Sequence, residues 1–267
     1  VDNFHPPFGL LRDTMNQIPL LEARNIEKRF GAIQALRGVS LHLNRGEVLG
    51  IIGDNGAGKS TFLKILSGAV VPDKGQLYLE GNPVTFRSPQ DARQQGIEMV
   101  YQDLSLCDTL DVATNLFLGR EPTRQFLRIS ILDRNTLHQK AEKILYELHI
   151  RIPSTRLMVE NLSGGQRQAI AIGRAISFQP KVLILDEPTS ALAAREVEEV
   201  LSLTRRLASA GVGVVFVSHR LHDVLQVCDR LVVLYEGRNI AERKAKETNI
   251  PEIIKLIEGV AAPEGTR

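Results

Sequence analysis

The chain has little cysteine: Cys107 and Cys228 are its two, far apart and without a C-x-x-C pair. That usage argues against a disulfide, leaves both as small apolar side chains and fits a reducing cytoplasm. Long apolar runs are also missing. None approaches the roughly 18–20 residues needed to span a bilayer, and Val214-Val215-Phe216-Val217 and Leu231-Val232-Val233-Leu234 are only strand-length. Work at a membrane would therefore need other subunits to cross it. Charge of one sign is lacking, because the net charge is +2, and no nucleic acid is expected as a partner. No internal repeat is visible. Residues 1–19 lack the basic start and apolar core of a signal peptide and read as an N-terminal tail.

What is present suffices for a full core. Hydrophobic residues make up 43% of 267 and charged ones 24%, the balance of a soluble globular protein. Residues 20–26 read as an opening strand. Val39-Ser40-Leu41-His42-Leu43 alternates as a half-buried strand does. Arg45-Gly46 turns the chain into the apolar strand Val48-Leu49-Gly50-Ile51-Ile52. Leu77-Tyr78-Leu79 and Val84-Thr85-Phe86 flank Gly81-Asn82-Pro83, a hairpin signal, so residues 20–90 predict a strand-rich layer. Helical spacing takes over at 103–162, as at Leu137, Ala141, Ile144, Leu145 and Leu148, with Asp133 or Asn135 as cap. The charged stretch at 120–134 reads as a solvated connection. Strands at 182–185, 212–217 and 231–235 then alternate with helices at 195–208 and 222–227. That alternation predicts an α/β fold with a mainly parallel sheet. Glu236-Gly237 turns into a last short strand, and residues 246–267 form a C-terminal extension with a short helix at 250–259.

Gly53-Asp54-Asn55-Gly56-Ala57-Gly58-Lys59-Ser60 fits the phosphate-loop pattern, between a strand and a helical segment at 59–67. Its glycines permit positive φ and close approach of amide N–H groups to phosphate oxygens, and the helix start adds partial positive charge. Lys59 is placed to reach the β- and γ-phosphates and Ser60 to coordinate Mg²⁺. Asp186 ends the strand Leu183-Ile184-Leu185 and is the acidic partner for Mg²⁺. Glu187 leaves the same strand end in the other direction, where it can polarise an attacking water; a charge at a helix start is its other reading. Ser163 and the Gly164 and Gly165 amides form a second anion-binding nest, leading into a helix that begins near Gln166.

Leu162-Ser163-Gly164-Gly165-Gln166, after the phosphate loop and before Leu185-Asp186-Glu187, resembles the ATP-binding-cassette (ABC) family, the ATPase subunits of ABC transporters, over about residues 20–245. The resemblance implies a P-loop NTPase (RecA-like) core with an antiparallel β-subdomain and an α-helical subdomain inserted at about 103–162. It implies ATP and Mg²⁺ as cofactors, with Gly53 through Ser60 and Thr61 on the nucleotide. Gln102 becomes the glutamine loop, a catalytic and metal-sensing residue, and His219 the switch histidine at the γ-phosphate. Glu187 becomes the catalytic base. Phe30 would stack on adenine, with a core phenylalanine as its other reading. Ser163, Gly164, Gly165 and Gln166 would meet ATP held by the opposite subunit of a head-to-tail homodimer. The chain departs from the family at Ala193, where many members carry aspartate.

The segments Gln94-Gln95-Gly96-Ile97-Glu98-Met99-Val100-Tyr101-Gln102-Asp103 and Asn115-Leu116-Phe117-Leu118-Gly119-Arg120-Glu121 resemble bacterial importers of simple sugars, in a single-cassette form. That implies integral-membrane permease subunits and, indirectly, a periplasmic or lipoprotein sugar-binding protein. The chain would lie peripherally on the cytoplasmic face of the inner membrane. The alternatives are a soluble ABC ATPase of DNA repair or translation and a hydrolysis-impaired regulator. A GTPase is disfavoured, because no Asn-Lys-x-Asp guanine-reading segment is present.

Overall fold

The computed structural model describes residues 18–126 and 129–259. Residues 1–17 of the tail expected at 1–19, and the last residues, 260–267, lie outside the described residues. The strands are β1 (Leu21–Phe30), β2 (Ile33–Leu43), β3 (Val48–Ile52), β4 (Lys74–Leu79), β5 (Asn82–Val84), β6 (Ile97–Val100), β7 (Thr123–Phe126), β8 (Ile129–Leu132), β9 (Val182–Asp186), β10 (Gly213–Val217), β11 (Arg230–Tyr235) and β12 (Arg238–Lys244). The helices are α1 (Lys59–Leu66), α2 (Pro89–Gln94), α3 (Val112–Leu116), α4 (Arg134–Glu147), α5 (Gly164–Ile176), α6 (Ala194–Ser209), α7 (Leu221–Val227) and α8 (Ile250–Ile257).

The larger sheet runs β12-β11-β3-β10-β9-β6, parallel except for the edge strand β12. Every residue of β3 and β10 is buried. Strands covered on both faces need apolar residues at every position, and these two supply valine, leucine, isoleucine and phenylalanine around small glycines. The smaller sheet, β2-β1-β4-β5, is antiparallel. Leu36, Val39, Leu41 and Leu43 of β2 are buried while residues between them are not, so one face packs and the other stays wet. One core joins this face to α1 and one side of the large sheet. A second core packs α5, α6, α7 and α8 on the other side. A third packs the helical insert, around Leu116 and Leu137, against Ile170 of α5.

α6 shows why such helices settle where they do. Val197, Val200, Leu201, Thr204, Leu207 and Ala208 recur at helical spacing and are buried, whereas Glu198 and Glu199 are exposed. α8 buries Ile253 and Leu256 in the second core, so this part of the expected C-terminal extension is packed onto the sheet.

Four expectations shift. The β4–β5 turn is made by Glu80 and Gly81, at φ of 51° and 80°, so the pairing strand is Asn82–Val84 and the buried Phe86 lies beyond it. Two-residue hairpin turns with both residues at positive φ match the strand twist, which fixes that register. The stretch at 120–134 contains the hairpin β7–β8. Among the residues of known burial, Thr123, Arg124, Gln125, Ser130, Ile131 and Leu132 are all exposed, so they impose no readable alternation. The short helices α2 and α3 are capped by Ser88 and Asp111 but show no period. In α4, Asp133 is the cap, and His138 is buried where Ile144 is only half-buried. Both cysteines are free. Cys228 is buried, and burial pushes its thiol well up, whereas Cys107 is half-buried.

Candidate functional site

Strands β3, β10, β9 and β6 lie side by side and parallel, so the segments leaving their C-terminal ends meet along one edge. In open α/β sheets that edge is where ligands bind. A cleft of about 710 Å³ opens there. From β3 come Gly53, Asp54, Asn55, Gly56, Gly58, Lys59, Ser60 and Thr61; from β10, His219; from β9, Asp186 and Glu187; from β6, Gln102. Ala57 lies buried beneath the loop.

The loop needs its glycines for space as well as conformation. Gly53 has φ of 154°, and a Cβ there would stand 2.2 Å from the Leu234 carbonyl oxygen. At Gly58, φ is 103° and a Cβ would stand 2.8 Å from the Ala35 carbonyl oxygen. Gly58 is also the residue before α1, where no side chain caps the helix and no acidic residue enters the first turn. The positive end of α1 is therefore left to the cleft. Lys59 Nζ donates to the Gly53 carbonyl at 2.7 Å and to the Asp54 carbonyl at 2.9 Å, holding the loop in shape. Burial lowers the pKa of Lys59, while Glu187, Asp54 and Asp186 oppose that shift.

The acidic side is built from strand ends. Burial, then the neighbouring Glu187, raises the pKa of Asp186, and Lys59 acts against both. Glu187 adopts φ of 51°. A left-handed glutamate is unusual and held by its surroundings: its N–H donates to the Val217 carbonyl at 2.8 Å. Its Oε2 lies 2.8 Å from His219 Nδ1 and accepts the His219 backbone N–H at 3.3 Å. The Glu187 side chain is 14% exposed and the His219 ring 66%, so the pair faces the cleft from a half-buried carboxylate outward.

The loop at 163–166 is not part of this cleft. Gly165 and Gln166 line a separate hollow between α5 and α6. Ser163 Oγ accepts the Gln166 N–H and Gln166 Oε1 accepts the Ser163 N–H, a closed capping box, and α5 starts at Gly164. The Gly165 N–H, expected to face an anion, is turned onto Glu196 Oε1 at 3.1 Å. Phe30 is 48% exposed, which excludes a core position; Lys28 Nζ stands 5.5 Å from its ring centre, and the cleft wall nearby is made by Ile33, Gln34 and Ala35. Ile33, the first residue of β2, is 72% exposed and stands apart from the buried positions of that strand, which begin at Leu36, so no periodic signal singles it out.

Arg220 follows His219 and donates to the Thr189 carbonyl at 3.0 Å, while its Nε pairs with the buried Asp223 at 3.2 Å. The exit of β10 is thereby fixed against the exit of β9. Reading the sequence missed this pair, because an arginine and a carboxylate three apart on a helix most often face solvent.

The family model described as ABC transporter matches residues 36–190. A xylose/arabinose import ATP-binding protein of Sulfolobus acidocaldarius is 46% identical, over 91% of this chain and 95% of that protein. A fructose import ATP-binding protein of Rhizobium meliloti is 42% identical, over 93% and 97%. A ribose import ATP-binding protein of Rubrobacter xylanophilus is 42% identical over 92% of this chain, which spans 48% of that longer protein. The structure is similar to a nucleotide-free ATP-binding cassette from an ABC transporter, with a TM-score of 0.77 and 30% identity over 90% of this chain and 95% of the other. It is also similar to a dimeric cassette in a post-hydrolysis state bound to ADP and Pi, with a TM-score of 0.71 and 25% identity over 85% of this chain and 100% of the other.

Proposed function

This chain belongs to the ABC transporter family, and from that premise we propose that it is the ATP-hydrolysing subunit of an importer for a monosaccharide. The relatives named for sugar import support this reading and leave a repair or translation ATPase, or a hydrolysis-impaired regulator, without support. The observation that carries hydrolysis is the pair of Glu187 and His219, 2.8 Å apart beside Lys59 in one cleft.

ATP would lie with its phosphates on the 53–61 loop, where amide N–H groups and the start of α1 meet the negative charge. Lys59 would exchange its carbonyl partners for the β- and γ-phosphates. Gln102, Ser60 and Asp186 offer an amide oxygen, a hydroxyl and a carboxylate to the cleft, a hard oxygen set suited to Mg²⁺. When bound, Mg²⁺ would neutralise charge on the β- and γ-phosphates. Glu187 would orient and polarise the attacking water, and His219 would contact the γ-phosphate while holding Glu187 in place. Such a site works by positioning and charge neutralisation. Phe30 and Ile33 would border the base.

A second copy of this chain would bring its 163–166 loop to the γ-phosphate, closing two ATP molecules between head-to-tail partners. Three observations support this: the loop lies outside its own chain's cleft, it starts a helix, and a similar cassette is dimeric. Among the described residues no helix is long and apolar enough to cross a membrane. The chain would therefore act through membrane-spanning permease subunits, at the cytoplasmic face, with a sugar-binding protein delivering the solute.

The test is Glu187→Gln in the full chain. We expect ATP binding by calorimetry to persist, turnover to fall by about 10²-fold or more, and an ATP-bound dimer to accumulate on size-exclusion chromatography. Unchanged turnover would remove Glu187 as the base.

A further inference from the structure

One carboxylate holds two loops that lie far apart in sequence. Glu196 Oε1 accepts the Gly165 N–H at 3.1 Å and Glu196 Oε2 accepts the Ala193 N–H at 3.2 Å. The neighbouring Ser163 hydroxyl, then these two N–H groups, hold the Glu196 carboxyl below the usual range. The packing is as close as the bonding. A Cβ on Gly165 would stand 2.7 Å from the Glu196 Cβ, and one on Gly164 would stand 3.3 Å from Leu192. The Gly165 backbone can lie on Glu196 only because it carries no side chain.

Ala193 precedes α6 and offers no side-chain acceptor to that helix start. Glu196 takes the Ala193 N–H from within the first turn while also taking an N–H from the first turn of α5, so a single negative charge serves two helix starts. The path from Ala193 back to the hydrolytic centre is short and tightly bonded. The Leu192 N–H donates to the Thr189 carbonyl at 3.3 Å and the Ser190 N–H to the Glu187 carbonyl at 3.3 Å.

We infer that Glu196 is a positioning residue that fixes the 163–165 loop to the turn leading from Glu187 into α6. The surface each chain offers to its partner's ATP is thereby coupled to its own hydrolytic carboxylate. This rests on the dimer reading above and adds the physical link that would make the two sites act together. It also gives the departure at Ala193 a consequence: with no side-chain acceptor at that position, Glu196 is the group that orders the start of α6.

The experiment measures steady-state ATP hydrolysis, its Hill coefficient, thermal unfolding and Mg²⁺-free binding of a fluorescent ATP analogue, all on the full chain. Glu196→Ala is expected to lower kcat about tenfold and bring the Hill coefficient toward 1, with analogue binding unchanged within about twofold. Glu196→Gln, which keeps one acceptor oxygen, is expected to fall between. Adding Ala193→Ser to Glu196→Ala restores a capping hydroxyl to α6; we expect it to recover Tm while kcat stays low. Recovery of kcat together with Tm would show that Glu196 merely caps α6 and would overturn the proposal, as would full turnover in Glu196→Ala. If the unsubstituted chain itself shows no ATP-dependent dimer and a Hill coefficient of 1, the dimer reading fails first and takes the coupling with it. A cooperative parent with an unaffected Glu196→Ala variant refutes the coupling alone.

Discussion

Two helix starts in this molecule have opposite states. α1 begins at a left-handed glycine with no side-chain cap and no acidic residue in its first turn, and its amides face a cleft. α5 begins with a closed capping box, and its Gly165 N–H is held by Glu196. The first follows a glycine-containing loop and the second carries its glycines in its own first turn, yet in sequence both read as anion nests. The fold leaves the first one needing an anion and provides the second with an internal carboxylate. An open start suits direct capture of phosphate by its own chain. A satisfied start suits a loop that is held rigid until another molecule is brought to it.

The largest effect that separates the two is expected at Lys59. Lys59→Ala should weaken ATP binding to a single chain about 100-fold by isothermal titration calorimetry, because the proposed charge-assisted contact to phosphate would be lost. Ser163→Ala should leave that binding unchanged and lower turnover about tenfold. If Ser163→Ala weakened single-chain binding as much as Lys59→Ala, the contrast between the helix starts would be wrong. Gly58→Ala combines positive φ with a Cβ 2.8 Å from the Ala35 carbonyl oxygen, and should cost about 1–3 kcal/mol of stability in chemical denaturation.

A smaller effect sharpens the picture at the acidic end. The pKa of Asp186 is raised above 3.8, so the folded chain holds that proton more readily than the unfolded one. The cost is fully present above the raised value, is relieved as pH falls through it, and vanishes below 3.8. Asp186→Asn should therefore raise the Tm of the nucleotide-free chain at neutral pH by about 2–4 °C, lose that advantage in acid, and lose Mg²⁺-dependent turnover. The smallest expected effect is in base choice. If Phe30 and the exposed Ile33 border the base as proposed, ATP should be preferred over GTP by less than about tenfold in competition binding. A strong preference would require polar contacts to the base edge.

What could be read from sequence was local. Residues 53–60 dictate their own backbone, since the glycines at positions needing positive φ stand beside the lysine and serine that use it. Asp186 and Glu187 were legible because an apolar strand ends on them. The bond from Gly165 to Glu196 joins residues 31 apart, and only packing of α5 on α6 brings them together. Neither residue type signals it. The same holds for Arg220, whose partner Thr189 lies on another strand exit. The hairpin β7–β8 was hidden because its exposed residues have no inside face. The second nest was half legible: the glycines marked a tight helix entry, but the direction of the Gly165 amide depends on a side chain from a different helix.

The strand sequence across the large sheet also acts as a gauge. β10 sits between β3 and β9, so the strand end that opens the phosphate loop and the one that carries Asp186 and Glu187 stand two strand widths apart, about 10 Å at the usual spacing. His219 leaves from the strand in the middle. The gap is measured by the hydrogen-bonded ladder beneath it, so side chains at the rim can be exchanged while the jaw of the vice keeps its opening.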